Sequence, residues 1–184
     1  MKSNFYDHKH VLFITRAAVT AALYFALSAL SGAFGLSSGA IQVRISEALC
    51  ILPFFTGSAI LGVTLGCFLY NLASGCIMID VILGSVATLI GAAGTYFMSR
   101  MLTVKSGSGS PKNKTLKKII PFLLPLPTIL ANSLIVPFVL KFYGIDTPYI
   151  LNFATVFAGE FISAGIVGNI LYRALLPIKG KLFN

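Results

Sequence analysis

Hydrophobic residues fall in long unbroken runs separated by short polar breaks. The runs cover residues 11–30, 46–74, 80–98, 119–142 and 148–176. None alternates residue by residue, so the pattern predicts helices and not barrel strands. Runs of ~20 apolar residues have the length of a membrane-crossing helix. The run 46–74 carries Pro53 and Gly57 near its middle, so it reads as one long helix or as a hairpin of two short ones.

Charge decides between these two. Arg100, Lys105, Lys112, Lys114, Lys117 and Lys118 cluster after the run 80–98, and both chain ends are basic. The hairpin gives six segments and leaves all three basic regions on one side. Twelve of the fourteen Lys and Arg then face the cytoplasm, with Arg44 and Lys141 outside, as the bias of positive charge toward the inner face requires. A single helix would export the six-positive loop. The expected architecture is therefore an all-α, six-helix membrane bundle with both termini cytoplasmic. It is read as one membrane domain, 1–184, with a tail at 1–10 and a basic cytoplasmic loop at 99–118. One arm of the hairpin, 46–55, is only ~15 Å long as an α-helix, which predicts irregular backbone there. Pro121, Pro125, Pro127 and Pro137 predict kinks in the fifth segment, with freed carbonyls that neighbours must satisfy.

Composition agrees with lipid as the solvent: 57% of the 184 residues are hydrophobic and 10% charged, against ~25% charged in soluble domains. The net charge of +9 suggests nucleic acid only in a soluble protein. Cys50, Cys67 and Cys76 lie in or beside apolar runs, and their number and spacing predict no disulfide framework and no metal site. His8 and His10 read as part of a solvated tail. The first run could be a signal peptide, since small residues follow it. An uncleaved helix is preferred, because Ala17/Ala21 and Ala18/Ala22/Ala26 are spaced for close helix packing.

Ionisable and amide side chains inside lipid are costly and mark function by default. Asn132 and Glu160 lie midway along antiparallel neighbours. Asn152 is two turns nearer the outside, Asn71 and Asp80 flank one outer loop, and Arg44 and Glu47 flank another. Bland readings exist for most of these: capping for Asn71 and Asp80, a proline-freed carbonyl for Asn132, an i,i+3 ion pair for Arg44 and Glu47. Glu160 has none that leaves it unpartnered. Gly84, Ser85, Thr88, Gly91, Ala92 and Thr95 read as a packing face. No hydrolase or nucleotide-binding motif is found, so no enzyme and no cofactor are expected.

The strings Val43-Arg44-Ile45-Ser46-Glu47-Ala48-Leu49, Gly66-Cys67 with Asn71-Leu72, and Asp80 with Gly84-Ser85-Val86-Ala87-Thr88-Leu89 resemble the queuosine-precursor transporter (QueT) family, as do Asn132 and Gly159-Glu160. The resemblance runs from about residue 11 to 176, with a long, basic loop between the fourth and fifth segments as the main departure. It implies a substrate-binding S component of an energy-coupling-factor (ECF) transporter in a bacterial plasma membrane. Such a subunit captures its solute on the outer side and works with a transmembrane T component and two cytoplasmic ATPases. The implied ligand is a 7-deazaguanine, in its 7-aminomethyl form or as queuine. Ala17, Ala21, Ala22 and Ala26 match the T-component contact. The candidate binding set, drawn from the polar residues above, is Glu160, Asn132, Asp80, Asn71, Glu47, Arg44 and Asn152. A carboxylate such as Glu160 or Asp80 would accept from the base's ring N–H and amino group, and Asn132, Asn71 or Asn152 would meet its carbonyl. A second carboxylate, Glu47 or the free one of Asp80 and Glu160, would take an amine. Phe142, Tyr143, Tyr149 and Phe153 offer rings for stacking. Alternatives are an S component for another vitamin-like solute, a stand-alone carrier with Glu160 as proton site, or a scaffold that binds nothing.

Overall fold

The computed structural model describes residues 2–36, 42–104, 114–144 and 146–183, and these contain helices and no strand. α1 (Lys2–Ala33) is followed by a 3-10 helix, Ile45–Phe54, then α2 (Ser58–Ala73) and α3 (Met78–Val104). α4 (Lys114–Leu123), α5 (Leu126–Phe142) and α6 (Tyr149–Glu160) follow. The last leg continues as a π-helical stretch, Phe161–Val167, then α7 (Gly168–Leu175), a 3-10 turn and the short α8 (Lys179–Leu182). Four helical stretches are long and apolar enough to cross a membrane, His8–Ala33, Met78–Leu102, Ile119–Phe142 and Tyr149–Leu182, beside the two shorter apolar helices Ile45–Phe54 and Ser58–Ala73. The protein is multi-pass. The helix already begins at Lys2, within the expected tail. Of the basic loop 99–118, the first residues extend α3 and the last open α4, while 105–113 lie outside the described residues.

The two expected irregularities take specific forms. The short arm winds as a 3-10 helix over ten residues, and at ~2.0 Å per residue it reaches ~20 Å, not the ~15 Å of an α-helix. Runs of that length are uncommon, and here every residue from Ser46 to Pro53 is buried. α1, α3, the π-helical stretch and α7 pack around it. The proline-rich segment breaks at Leu124-Pro125, and the Leu124 carbonyl at the break accepts from Thr95 Oγ1 at 2.9 Å.

Close helix approach is built from glycine. A Cβ on Gly62 or Gly66 of α2 would lie 2.8 Å from the carbonyl oxygen of Ala17 or Ala21 on α1. The same logic joins α3 to α5, where a Cβ on Gly91 would lie 2.6 Å from Thr128 Cα. Below the 3-10 helix the C-terminal turn closes the bundle. Phe55 stacks on Phe183 at 5.2 Å, Lys179 Nζ lies over Phe54, and Arg16 donates to the Leu182 and Phe183 carbonyls at 3.1 and 3.4 Å.

Candidate functional site

The first turn of the 3-10 helix, the first three turns of α3, the middle of α5 and the end of α6 converge on one cavity. Its wall carries Gln42, Arg44, Glu47, Asp80, Gly84, Thr88, Asn132, Val136, Val156 and Glu160. Three of the chain's five acidic side chains are in that wall, with Arg44 the one cation among the described residues lining it. The enclosed space is about 20 Å³, enough for roughly one water.

Each charged group is held differently. Asn132 Nδ2 donates to Glu160 Oε1 at 3.0 Å, and Glu160 Oε2 is buried with no hydrogen-bond partner. Glu47 has both oxygens engaged: the Tyr24 hydroxyl donates to Oε1, and the Cys50 thiol to Oε2 at 3.2 Å. Asp80 sits in the first turn of α3, where the helix dipole favours a negative charge. The Tyr143 hydroxyl donates to Asp80 Oδ2 at 2.9 Å and accepts from the Ile77 N–H at 3.2 Å. Partial burial and the bond to Asp80 push the Tyr143 phenol above its ordinary range. Arg44 Nη1 donates to Asn71 Oδ1 at 3.5 Å, and Asn71 Nδ2 contacts Cys67 Sγ at 3.6 Å.

Five of the seven expected binding residues therefore share the wall: Arg44, Glu47, Asp80, Asn132 and Glu160. Asn71 stands one step behind, braced on Arg44; a Cβ on Gly84 would be 3.0 Å from its Nδ2 and 3.3 Å from Asp80 Oδ1. Asn152 is buried but outside the wall. Its Oδ1 accepts from Thr147, and its Nδ2 has no partner. Among the described residues no ion pair joins Arg44 to Glu47. Arg44 caps the helix in an extended conformation (φ −107°, ψ 103°), so the two do not share a helix face. Of the stacking candidates, Tyr143 reaches the site through Asp80, while Tyr149 donates to the Leu134 carbonyl. Phe142 is exposed, and Phe153 stacks on Phe157. The alanines of α1 divide between two faces: Ala17 and Ala21 are buried against α2, whereas Ala22 and Ala26 are exposed.

Two contributors, Tyr24 and Gln42, carry no obvious signal of their own, and Gly159 enters the sequence reading only beside Glu160. Tyr24 matters only through Glu47, 23 residues away. Gln42 and Gly159 are matched as a pair, since a Cβ on Gly159 would collide with the Gln42 carbonyl oxygen. A glycine immediately before a mid-membrane carboxylate is the one clue that sequence offers.

A buried cavity with a mostly polar and acidic wall, set inside a multi-pass bundle, defines the class as a polytopic helical membrane protein. Residues 14–177 match the family described as QueT transporter. The chain is 32% identical over 163 residues to the queuosine precursor transporter QueT of Lactococcus lactis subsp. cremoris, covering 88% of each chain. No solved structure matches. The chain belongs to the QueT transporter family, and its role is transport, not catalysis.

Proposed function

We propose that the chain is the solute-binding S component of an ECF importer in a bacterial plasma membrane, and that its cavity takes a 7-deazaguanine precursor of queuosine. The observation that carries this reading is the unpartnered Oε2 of Glu160, fixed at the cavity wall by Asn132. An unsatisfied carboxylate at this depth costs several kcal/mol, and a guanine-like edge with two adjacent donors would repay it. Asn132 keeps an amide hydrogen for the base's carbonyl. Glu47 has both oxygens engaged, so Asp80 is the carboxylate left for an amine on the 7-substituent. Three carboxylates against one guanidinium favour such a cationic guest. The precursor class comes from the name of the Lactococcus relative.

A cavity of about 20 Å³ is far below the ~300 Å³ of small ligand pockets, so capture requires the wall to open. The segment Gln42–Arg44 is the mobile part on this reading. It is half-buried and is held by the Val43 N–H bond to the Leu36 carbonyl at 2.9 Å, the Gly159 contact and the long Arg44–Asn71 bond. The six apolar helices then make six crossings of one membrane domain, with both termini and residues 99–118 cytoplasmic. The Arg16 bonds to the C-terminal carbonyls support this, because an odd number of crossings would part those ends. Ala22 and Ala26 are the α1 surface offered to a T component, which two cytoplasmic ATPases would drive.

The test is calorimetric titration of the purified protein with 7-aminomethyl-7-deazaguanine. Glu160→Gln and Asn132→Ala should each weaken binding at least about tenfold, a loss of ~1.4 kcal/mol. Unchanged affinity in both variants would remove these residues from the site. Uptake by the chain alone in liposomes, driven by a pH gradient, would instead favour a stand-alone carrier.

A further inference from the structure

A second cavity, of about 330 Å³, lies between the start of α5 and the leg α6–α7, displaced along α5 from the acidic site toward Pro125. Its walls are apolar for most of their length: Phe122, Ile129, Phe157, Phe161, Ile166 and Ile170. Polarity appears at one end only. Asn169 donates its Nδ2 to the Gly165 carbonyl at 2.8 Å, which leaves its Oδ1 buried with no donor. Arg173 is one turn further along the same helix face, exposed, and without a hydrogen-bond or ion-pair partner among the described residues. Helical side chains lean toward the helix N-terminus, so the guanidinium covers the turn that holds Asn169.

We infer that this groove binds one anionic phospholipid of the phosphatidylglycerol type, with an acyl chain along the aromatic walls and the phosphate on Arg173. Three features select this occupant. From Phe157 to Arg173 the wall runs ~24 Å at 1.5 Å per residue, longer than the ~15 Å hydrocarbon half of a bilayer, so one chain fits along it. The charge is positive at the rim alone, and basic pockets between membrane helices recognise anionic head groups. A head-group hydroxyl supplies the donor that Asn169 Oδ1 lacks. A partner helix is disfavoured, since helices meet in lipid through small residues, and this wall presents three phenylalanine rings. The π-helical stretch Phe161–Val167 forms part of the same wall, with Gly165 leaving space beside Phe161 and Ile129.

The test uses full-length protein, delipidated in detergent and offered equal dioleoyl-phosphatidylglycerol and dioleoyl-phosphatidylcholine, with bound lipid counted by native mass spectrometry. The anionic lipid should be favoured about fivefold. Arg173→Ala, at an exposed position, should abolish the preference while leaving phosphatidylcholine adducts unchanged. Ile166→Trp should reduce adducts of both lipids by filling the groove. Equal adducts in the wild type, or a preference that survives Arg173→Ala, would overturn the assignment.

Discussion

The seam between α1 and α2 and the wall of the acidic cavity both bury polar side chains, and they do so in opposite ways. At the seam, the Thr20 hydroxyl, packed against Gly62, turns back on its own helix and donates to the Arg16 carbonyl at 2.8 Å. Such a group is satisfied before any neighbour arrives, so the seam needs only small residues that let backbones touch. At the cavity the buried groups are carboxylates and amides. A carboxylate has no proton to give its own carbonyls, so it must find a donor, on another element or, as Glu47 does with Cys50, one turn along its own. Tyr24 and Cys50 supply Glu47, Tyr143 supplies Asp80, and Asn132 supplies half of Glu160. The contrast teaches which buried polarity is structural. Groups that close locally hold helices together; those that reach across helices and leave an atom open are available to a guest.

The largest effect expected from breaking this contrast is at the seam. Gly66→Leu places a side chain where a Cβ would already sit 2.7 Å from Tyr24 Cβ and 2.8 Å from the Ala21 carbonyl oxygen. Backbone cannot yield as a rotamer does, so the cost should reach or exceed the ~1–3 kcal/mol of ordinary overpacking. It should appear as lost monodisperse protein in size-exclusion chromatography. Binding should fall with it, because Tyr24 carries the hydrogen bond to Glu47. Normal yield and affinity would show that the seam is looser than its glycines imply. Ala21→Leu should fail in the same way. Ala22→Leu, one residue along and facing outward, should leave ligand affinity unchanged and abolish uptake in cells with the complete importer. Normal uptake would reject this face as the docking surface.

A smaller, local effect is expected at Gly159. Gly159→Ala drives the new methyl against the Gln42 carbonyl and should displace the segment that leads into Arg44. Calorimetry should then report several-fold weaker binding, with a fall in melting temperature smaller than that of Gly66→Leu. A fall in melting temperature with affinity intact would make Gly159 a packing glycine only.

Much of this division is legible in the sequence, and the parts that are not share a cause. Run lengths and the lysine-rich loop point to the hairpin, and the ten-residue arm is too short to cross as an α-helix. Glu160 stands out because nothing nearby in the chain can satisfy it, and Asn132 because it lies midway along the antiparallel neighbour. The Arg44–Glu47 pair is misread because i,i+3 spacing brings side chains together only where both residues are helical, and Arg44 is extended. Gly84 and Thr88 read as helix packing, and Thr88 does bond the Gly84 carbonyl at 3.1 Å, yet both line the cavity. Tyr24, Gln42 and the π-helical stretch after Glu160 are set by partners far away in the chain, which spacing along one helix cannot reveal.

The smallest predicted effect tests whether the cavity's outer rim belongs with the seam or with the site. Tyr143 is 41% exposed, so its bond to Asp80 is partly screened and should contribute about 1 kcal/mol, below the ~1.5–3 of a buried bond to a charge. Tyr143→Phe should lower the melting temperature by roughly 2–4 °C. The sign of its pH dependence follows from the raised phenol. The folded value lies above the unfolded one, near 10. The contribution is then complete below about pH 10 and is lost as pH rises through the folded value. The gap between wild type and Tyr143→Phe should hold steady from neutral pH to about pH 9 and close only in stronger base. A gap that closes near neutrality would mean that the phenol does not hold Asp80 in place. Affinity for 7-aminomethyl-7-deazaguanine should fall about twofold to fivefold in the same variant, less than at Glu160 because a carboxylate can be re-aimed by water at the rim. If Tyr143→Phe changes stability and leaves affinity untouched, Asp80 belongs to the helix terminus it occupies and not to the guest.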